Sequence, residues 1–214
     1  MIKISDAVRE IIYQDIVALQ ALQQNLLNLS SYADKILKKV EAKGLKDVKK
    51  GSVVAALSRV AVDIRRAPQY VPRLVIESII IKLGLCTVAF RNNAKNIELI
   101  RKVKEQCNVA ESSFFTVTIG VNEISIVADE EYLDSIVNLF SVKPKSIFTH
   151  LVGLTVTVNP KVAANPNMVH TMHSALAVKR INIVEMISAR PELTFVIEKK
   201  QMKPAIEAFQ GFMK

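Results

Sequence analysis

The stretch Glu123–Val127 (EISIV) returns further along the chain as Glu192–Val196 (ELTFV). Two more blocks repeat at the same spacing, the one that separates position 123 from position 192, which we call the repeat offset. LGL at 83–85 matches VGL at 152–154, and Ile136 and Phe140 match Ala205 and Phe209. Several separated blocks that agree at one spacing are typical of an internal duplication. We therefore expect residues 74–143 and 145–214 to be two copies of one structural unit, related by this repeat offset.

Within each copy, apolar runs of strand length and segments of helical periodicity follow one another in the same order. That order is strand, helix, strand, strand and helix. The predicted elements cover 76–90, 94–107, 113–120, 123–128 and 130–140 in the first copy, and 145–158, 165–179, 182–188, 192–198 and 201–213 in the second. Two helices on one face of a small antiparallel sheet bury such a unit economically. The expected fold class is α+β.

Residues 1–70 follow a helical pattern instead, with apolar side chains every three or four positions. The pattern predicts a first helix that begins near Ser5 and breaks near Asp15, a second helix at about 30–43 and a third at about 52–66. Residue types that cap helices stand at the predicted starts: Ser5, Asn28 or Ser30, and Ser52. Residue types that end helices follow at Gly44, Pro68 and Pro72. We expect an all-helical N-terminal domain over 1–70.

The composition, 50% hydrophobic and 23% charged, is that of an ordinary globular protein. The longest apolar run, about 71–90, is interrupted by three charged residues and a glycine, which favours a buried strand over a membrane span. The first residues carry no export signal, so we expect a cytoplasmic location and no membrane partner. Cys86 and Cys107 form no CxxC pair, and we expect both to be reduced core residues.

The sequence contains no pattern that favours catalysis. Its six glycines are scattered and form no GxGxxG or GxxxxGK[ST] motif, and His150, His170 and His173 show no triad-like arrangement. His170 and His173 lie at i and i+3 of one predicted helix, close enough to share a metal ion, but no Asp, Glu or Cys accompanies them on that face. We therefore expect no catalytic residue, no cofactor and no metal site.

The second copy contains Asn182–Ser188 (NIVEMIS), then Leu193–Ile197 (LTFVI), then Ala205–Phe209 (AIEAF). This succession resembles the second ACT domain of aspartokinases, whose signature is an IN(I/V)xMIS strand, an ISxVV-type strand and a helix. The first copy is similar to the same fold through its pattern and its repeat relation to the second. The resemblance implies two ferredoxin-like ACT (βαββα) repeats in a non-catalytic regulatory protein, because the motifs of the kinase domain do not occur in this chain.

In aspartokinases the effector amino acid lies at the interface of paired ACT domains. It is held by the loop between the first strand and the first helix and by the start of the second strand. Carried over, the resemblance implies a small-molecule effector, an amino acid, bound by Asn159, Asn165, Asn167, Met168, Val169, Asn182 and Ile183. The family usually has a glycine after the proline of this loop, whereas here Pro166 precedes Asn167, which can adopt a left-handed conformation at modest cost. The usual TSE after the MIS segment is replaced by 189–191 (ARP).

A homodimer, or a higher oligomer, is also expected. Each repeat as predicted ends after its second helix, so no strand follows 214 to cover the edge of the last sheet. The extra strand length at 74–90 and 145–158 offers the alternative, since it can cover those edges within one chain.

A second hypothesis concerns the helical domain. The helices at 30–43 and 52–66 have the size of a helix-turn-helix, and the net charge of the chain is +9, although that charge is spread over the whole length. Basic residues stand at or on the second of these helices: Lys49, Lys50, Arg59, Arg65 and Arg66. In this alternative the ACT pair only dimerises, and the helical domain binds DNA or a partner protein without any ligand.

Overall fold

The computed structural model describes residues 3–43, 47–67, 74–140 and 142–213. The chain divides into two compact units, Met1–Pro72 and Arg73–Lys214. The first unit contains the helices α1 (Ile4–Gln14), α2 (Ile16–Gln23), α3 (Leu29–Glu41) and α4 (Lys50–Arg66). Their inward faces form a single apolar core, in which Val8, Ile12, Ala33, Val53 and Leu57 are fully buried.

The helix starts in the first unit test the predicted caps, which were Ser5, Asn28 or Ser30, and Ser52, and they reveal Asp15 as a further cap. Asp15 caps α2 by accepting a hydrogen bond from the Ala18 amide at 3.0 Å, and Asn28 caps α3 through the Ser31 amide at 2.9 Å. The predictions for Ser5 and Ser52 are wrong, since α1 is already helical at Ile4 and α4 at Lys50. Both serines therefore lie inside their helices, where their side chains cannot cap the first turn. Gly44, Pro68 and Pro72 lie outside the described residues.

The second unit contains six strands and the helices between them within the described residues. The first half comprises β1 (Ile76–Arg91), α5 (Ala94–Gln106), β2 (Phe115–Ile119), β3 (Glu123–Asp129) and α6 (Leu133–Phe140). The second half comprises β4 (Ser146–Val158), α7 (Pro160–Ala163), α8 (Met168–Val178), β5 (Glu185–Ala189), β6 (Glu192–Glu198) and α9 (Met202–Gln210). The predicted order of elements is confirmed in both halves, and α7 is an additional turn of helix inside a predicted loop.

The six strands form one antiparallel sheet in the order β2-β3-β1-β4-β6-β5. The third strand of each repeat pairs with its own first strand, as Leu85 pairs with Asp129 and Leu151 with Glu198. The two strands predicted to be equivalent, β3 and β6, thus occupy equivalent places.

The two long strands β1 and β4 are shared between the repeats. The first part of β1 pairs with β4 from Ile76 opposite Val158 to Leu83 opposite Val152, and only its second part also pairs with β3. In the same way 146–148 of β4 pair with 87–89 of β1, and only the later part of β4, 151–157, pairs with β6 as well as with β1. The first part of each long strand therefore lies in the half of the sheet that belongs to the other repeat, and its second part lies in the half that belongs to its own repeat. The edge on which the oligomer expectation rested is covered within the chain, so that argument for a dimer was wrong.

The repeat offset is not constant through the fold. It relates β2 to β5, β3 to β6 and α6 to α9, but Leu85 and Leu151, which hold equivalent places in the sheet, are separated by three positions fewer. The predicted match of LGL with VGL is therefore wrong. Gly84 has φ +69° at a bulge of β1, whereas Gly153 sits in regular pairing opposite Lys82. The second repeat gains three positions between its first strand and first helix.

One face of the sheet carries the helices and two apolar cores. In the first repeat Phe90 of β1 stacks on Phe140 of α6 with ring centroids 3.9 Å apart, and in the second Phe195 of β6 lies 5.6 Å from Phe209 of α9. All four phenylalanines are fully buried. These contacts attach each repeat's last helix to its own half of the sheet.

The opposite face carries a smaller apolar core, to which no described helix of the second unit contributes a residue. Leu85, Val127, Leu151 and Val196 form a small core there. Across this face the Ser125 hydroxyl of β3 donates a hydrogen bond of 2.5 Å to Glu185 of β5. In a flat sheet four strand spacings of about 4.8 Å would separate β3 from β5 by about 19 Å. The sheet is therefore strongly curled, as antiparallel sheets become when twist accumulates over many strands.

Candidate functional site

The loop that follows β4 departs from its counterpart in the first repeat. After α7 the chain leaves helical geometry, and α8 begins only at Met168. Asn167, immediately before it, has φ +66°, the left-handed conformation that an asparagine can adopt at modest cost. Thr171 fixes the start of α8, because its amide and its hydroxyl both donate to the Asn167 carbonyl, at 3.0 and 2.9 Å. The loop is thus held in a defined shape in front of the helix N-terminus.

A cavity of about 440 Å³ opens between this loop and the hairpin turn that joins β5 to β6. Its lining comes from 163–170 on the loop side and from Ser188 and 190–193 on the hairpin side. Pockets for small ligands range from about 300 to 1,000 Å³ and combine apolar walls with a few polar groups. The cavity falls in this class.

The structure brings four predicted ligand-binding residues together in the lining: Asn165, Asn167, Met168 and Val169. Asn159 lies elsewhere and donates a hydrogen bond of 3.1 Å to Glu77. Asn182 is exposed ahead of β5, and Ile183 packs against the apolar core of the second repeat. Within one chain the predicted site is therefore divided between two places.

The direction of β5 explains this division. Ala189 pairs with Glu192 at the hairpin turn, whereas Glu185 pairs with Val196 at the other end of the strand. Asn182 precedes Glu185 and so lies at the end remote from the cavity. The rise of about 3.3 Å per residue puts more than about 13 Å of strand between the two ends.

Several lining residues escaped the sequence analysis, namely His170, Ser188, Arg190, Pro191 and Glu192. The signal for Arg190 and Pro191 was present, because they stand where the family usually has TSE. Ser188 and Glu192 carry no sequence pattern that would connect the β5–β6 hairpin with the β4–α8 loop, and His170 directly follows the predicted residue Val169.

The cavity offers groups for both signs of charge. The N-terminus of the eleven-residue helix α8 faces it, and the amides of Met168 and Val169 lie in the first turn, which has no bonding partners within the helix. Such a terminus favours anions, and Arg190 in the same lining adds a positive charge. Glu192 supplies a carboxylate on the hairpin side. Buried side chains of Ala163, Met168 and Leu193 form the apolar part of the wall.

The basic residues of the helical unit do not form one face. Lys49, Lys50, Arg59, Arg65 and Arg66 are all exposed, and Lys50 is paired with Asp34 at 2.6 Å. Nine positions separate Lys50 from Arg59, which at about 100° per residue places them on opposite sides of α4. The first pair and the last pair stand at opposite ends of a helix about 24 Å long. The single basic face that the DNA hypothesis requires is absent from α4.

The cysteines are poorly placed for thiolate chemistry. Burial, with a smaller contribution from the charge of Glu130, raises the pKa of the Cys86 thiol to about 11, and burial also raises the pKa of Cys107. Both are free and buried. The part of the chain that the structure describes contains no group of three His, Cys, Asp or Glu residues able to hold a metal ion. Within the described ranges no helix is long and apolar enough to cross a membrane.

Comparison with known proteins gives matches only at the level of structure. No protein-family model and no curated protein sequence matches this chain. An allosteric aspartate kinase from Clostridium acetobutylicum matches with a TM-score of 0.55 and 15% identity over 67% of this chain and 36% of its own. A chain of the aspartokinase alpha and beta subunit structure matches with 0.52 and 12%, over 64% of this chain and 98% of its own.

The regulatory subunit of aspartate kinase from Thermus thermophilus, in its ligand-free form, matches with a TM-score of 0.52 and 7% identity, over 65% of this chain and 98% of its own. This chain therefore spans about a third of the clostridial kinase but nearly all of the two subunit chains. At these identities the likeness shows the fold alone. About two-thirds of this protein has the α+β fold of aspartokinase regulatory domains, which confirms the resemblance found in the sequence.

Proposed function

We propose that this chain is a non-catalytic, cytoplasmic regulatory protein that binds an amino acid through tandem ACT repeats. In this proposal a helical domain at 1–70 precedes two ferredoxin-like ACT repeats at 74–143 and 145–214. The observation that carries it is the cavity between the β4–α8 loop and the β5–β6 hairpin. That loop is the segment to which the aspartokinase resemblance assigns the effector.

The chemistry of the lining suits a zwitterion with a small side chain. A ligand carboxylate is favoured at the N-terminus of α8, beside Arg190, where amide groups and positive charge coincide. An ammonium group is favoured beside the carboxylate of Glu192. Met168 and Leu193 leave an apolar wall for a side chain. An α-amino acid carries an ammonium group and a carboxylate group on the same carbon and so can meet both sides of the cavity.

A second copy of the chain would complete the site. β5 ends the sheet, and Met186 on this strand is 48% exposed. If β5 pairs antiparallel with its counterpart about a two-fold axis, the start of the partner strand lies beside the end of this one. Asn182 of the partner subunit then approaches Ser188 and Arg190 of this chain. The two places into which the predicted site is divided would meet at such an interface.

The composition of α8 also supports a partner on this side. α8 contains no charged residue, although Val178 is 83% and Val169 39% exposed. Its counterpart α5 carries six charged residues in thirteen positions, as expected for a helix face in water. Charged residues are depleted at the centres of protein interfaces. We therefore assign the dimer contact to the β5 edge and the outer face of α8.

A thermal-shift screen with each of the twenty amino acids tests ligand binding, because a ligand at 100 times its Kd stabilises the folded state by about 2.7 kcal/mol. We expect at least one amino acid to raise Tm. Ala164→Trp, an exposed lining position, should fill the cavity and abolish the shift. The matched control is Lys95→Trp, at the position in the first repeat that the repeat offset relates to Ala164, and it should retain the shift. Absence of any shift in the unmodified protein would refute the proposal.

Light scattering tests the dimer separately. We expect a dimer at micromolar concentration and a monomer after Met186→Lys, because a charge at the strand edge opposes pairing. The control is Ile119→Lys on the edge strand β2 of the first repeat, where 53% of the side chain is exposed. If the Ile119 variant dissociates and the Met186 variant does not, the interface lies at the other end of the sheet.

A further inference from the structure

The first repeat has no loop equivalent to the one that shapes the cavity. At the repeat offset the buried Val103 of α5 and Cys107, which directly follows α5, correspond to Met172 and Leu176 of α8. In the same frame α8 begins at the position of Leu99, whereas α5 already begins at Ala94. More than one turn of helix in the first repeat therefore stands where the second repeat has its unwound loop.

Local sequence accounts for the difference. Asn93 caps α5 by accepting a hydrogen bond from the Asn96 amide at 2.9 Å, and the buried Asn96 side chain donates to the Arg91 carbonyl at 2.8 Å. In the second repeat Pro166 stands at the position of Ile97. A proline disfavours helical geometry in the residue before it, and the left-handed Asn167 follows. The helix cannot extend back through this pair.

A side chain also ties the first-repeat loop to its hairpin. The Asn92 side chain donates to the Gly120 carbonyl at 2.7 Å in the β2–β3 turn. Its counterpart in the sheet, at the spacing that relates Leu85 to Leu151, is Val158, whose side chain has no donor. Both residues donate a backbone hydrogen bond to the following hairpin turn, Asn92 at 2.9 Å and Val158 at 3.4 Å, so the side-chain tie is what the second repeat lacks. Because its loop is longer by three positions, the second repeat separates these two elements and leaves the cavity between them.

The surface of the first repeat carries a groove that is lined by α5, with Ala94, Ile97, Glu98 and Arg101 as its walls. The β2–β3 turn, which lies wholly within the described residues, contributes nothing to that lining. Glu98 stands at the position of Asn167, so a ligand carboxylate would meet a like charge there. Arg101 lines the same groove, so the groove, like the cavity, offers one positive and one negative side chain, but it lacks the second wall.

We infer that the two repeats have different roles, in that the second repeat alone binds the effector and the first is a structural copy closed by its own helix and asparagine side chains. The inference rests on the proposed function. It fixes the stoichiometry at one ligand per chain, and two per dimer.

Isothermal titration calorimetry with each of the twenty amino acids in turn tests this stoichiometry. We expect one site per chain in the unmodified protein and none in Ala164→Trp. Two sites per chain, of which one survives in Ala164→Trp, would overturn the inference and leave the proposed function intact. No heat of binding with any amino acid would instead reject the proposed function, and the inference with it.

A second variant copies the first repeat into the second. Pro166→Ile with Asn167→Glu introduces the residues of positions 97 and 98, so α8 should extend toward its N-terminus and close the cavity. We expect more helix by circular dichroism, an unchanged or higher Tm, and an affinity at least about tenfold lower. Arg101→Ala, in the first-repeat groove, should bind as the unmodified protein does. Wild-type affinity in the double variant, or weakened binding by Arg101→Ala, would contradict the inference.

Discussion

The Ser125 hydroxyl donates a 2.5 Å hydrogen bond to Glu185, although three other strands lie between β3 and β5 in the sheet order. The Thr87 hydroxyl lies 3.2 Å from the Ser125 hydroxyl oxygen. Thr87, Ser125 and Glu185 thus form a short row of hydrogen-bonded side chains on the face of the sheet that carries the smaller core. Ser125 belongs to the first repeat and Glu185 to the second. This contact therefore links the repeats across the concave side of the sheet, independently of the β1–β4 ladder.

Removing the Glu185 carboxylate should destabilise the curled conformation of the sheet. We expect Glu185→Ala to lower the free energy of unfolding by about 1–2 kcal/mol, because a hydrogen bond to a charged group contributes about 1.5–3 kcal/mol and this one is only half-buried. Urea denaturation measures the loss. Glu98→Ala, which removes an exposed carboxylate paired with Lys102, should change stability by no more than about 0.5 kcal/mol. Equal effects of the two variants would mean that the Ser125 contact adds nothing.

The Asp15 cap should make the helical unit sensitive to pH. The Ala18 amide, the Tyr32 hydroxyl and the charge of Lys35 hold the pKa of Asp15 below its ordinary value, against the smaller opposing effect of burial. A lowered pKa in the folded state stabilises at neutral pH, and that contribution is lost as pH falls through the folded-state value. Asp15→Ala should cost about 1 kcal/mol at pH 7, and the difference from wild type should narrow in acid.

Urea titrations of the helical signal at neutral and acidic pH measure this difference. Asp15→Asn is the control, because asparagine caps helices about as well as aspartate, so it should retain most of the stability at pH 7. A difference between wild type and Asp15→Ala that stays constant down to strongly acidic pH would show that ionisation of Asp15 is irrelevant.

The bulge in β1 should tolerate few residues other than glycine. Gly84 has φ +69°, and a Cβ added there would meet no atom within 4 Å, so any cost of substitution comes from the backbone alone. We expect Gly84→Ala to destabilise by about 1–2 kcal/mol and Gly84→Asn by less, since asparagine enters the left-handed region more readily. Chemical denaturation ranks the two variants. The reverse order would show that the bulge shifts to avoid the strain.

The left-handed residue before α8 offers a parallel test at the cavity. Asn167→Gly should preserve both stability and ligand affinity, because glycine adopts φ near +66° without cost. Asn167→Val should lose about 1–2 kcal/mol of stability, since a β-branched residue is strained at this φ, and should bind the amino acid more weakly. Tm and calorimetric titration give the two readouts. Full affinity in the valine variant would mean that the loop geometry does not matter for binding.

Much of the C-terminal fold could be predicted from the sequence because each strand carries its own apolar pattern. Residues 192–198 were predicted as a strand and form β6, and 123–128 correspond to β3 with one residue added. The repeat offset also predicted the placement of Phe140 and Phe209, which are buried at equivalent points. Repetition works as evidence here because both copies bury the same positions in cores of the same design.

The errors arose where local pattern does not determine geometry. LGL at 83–85 resembles VGL at 152–154, yet one glycine is needed for a positive φ and the other for close packing, since a Cβ on Gly153 would lie 3.0 Å from the Leu85 side chain. Ser5 and Ser52 are good capping types, but the chain is already helical before each of them. Asn182 was assigned to the site by resemblance, and only the pairing of β5 reveals which end of that strand it occupies.

The sharing of β1 and β4 also determines how this unit folds. The β2–β3 and β5–β6 hairpins join neighbours in sequence, such as Ile119 with Ile124 and Ala189 with Glu192, and can close early. The pairing of Ile76 with Val158 closes a loop that contains the whole first repeat. The entropic cost of closing a loop grows with the length of the loop. High contact order makes such pairing slow. On the ribosome neither repeat can complete its part of the sheet before β4 has emerged.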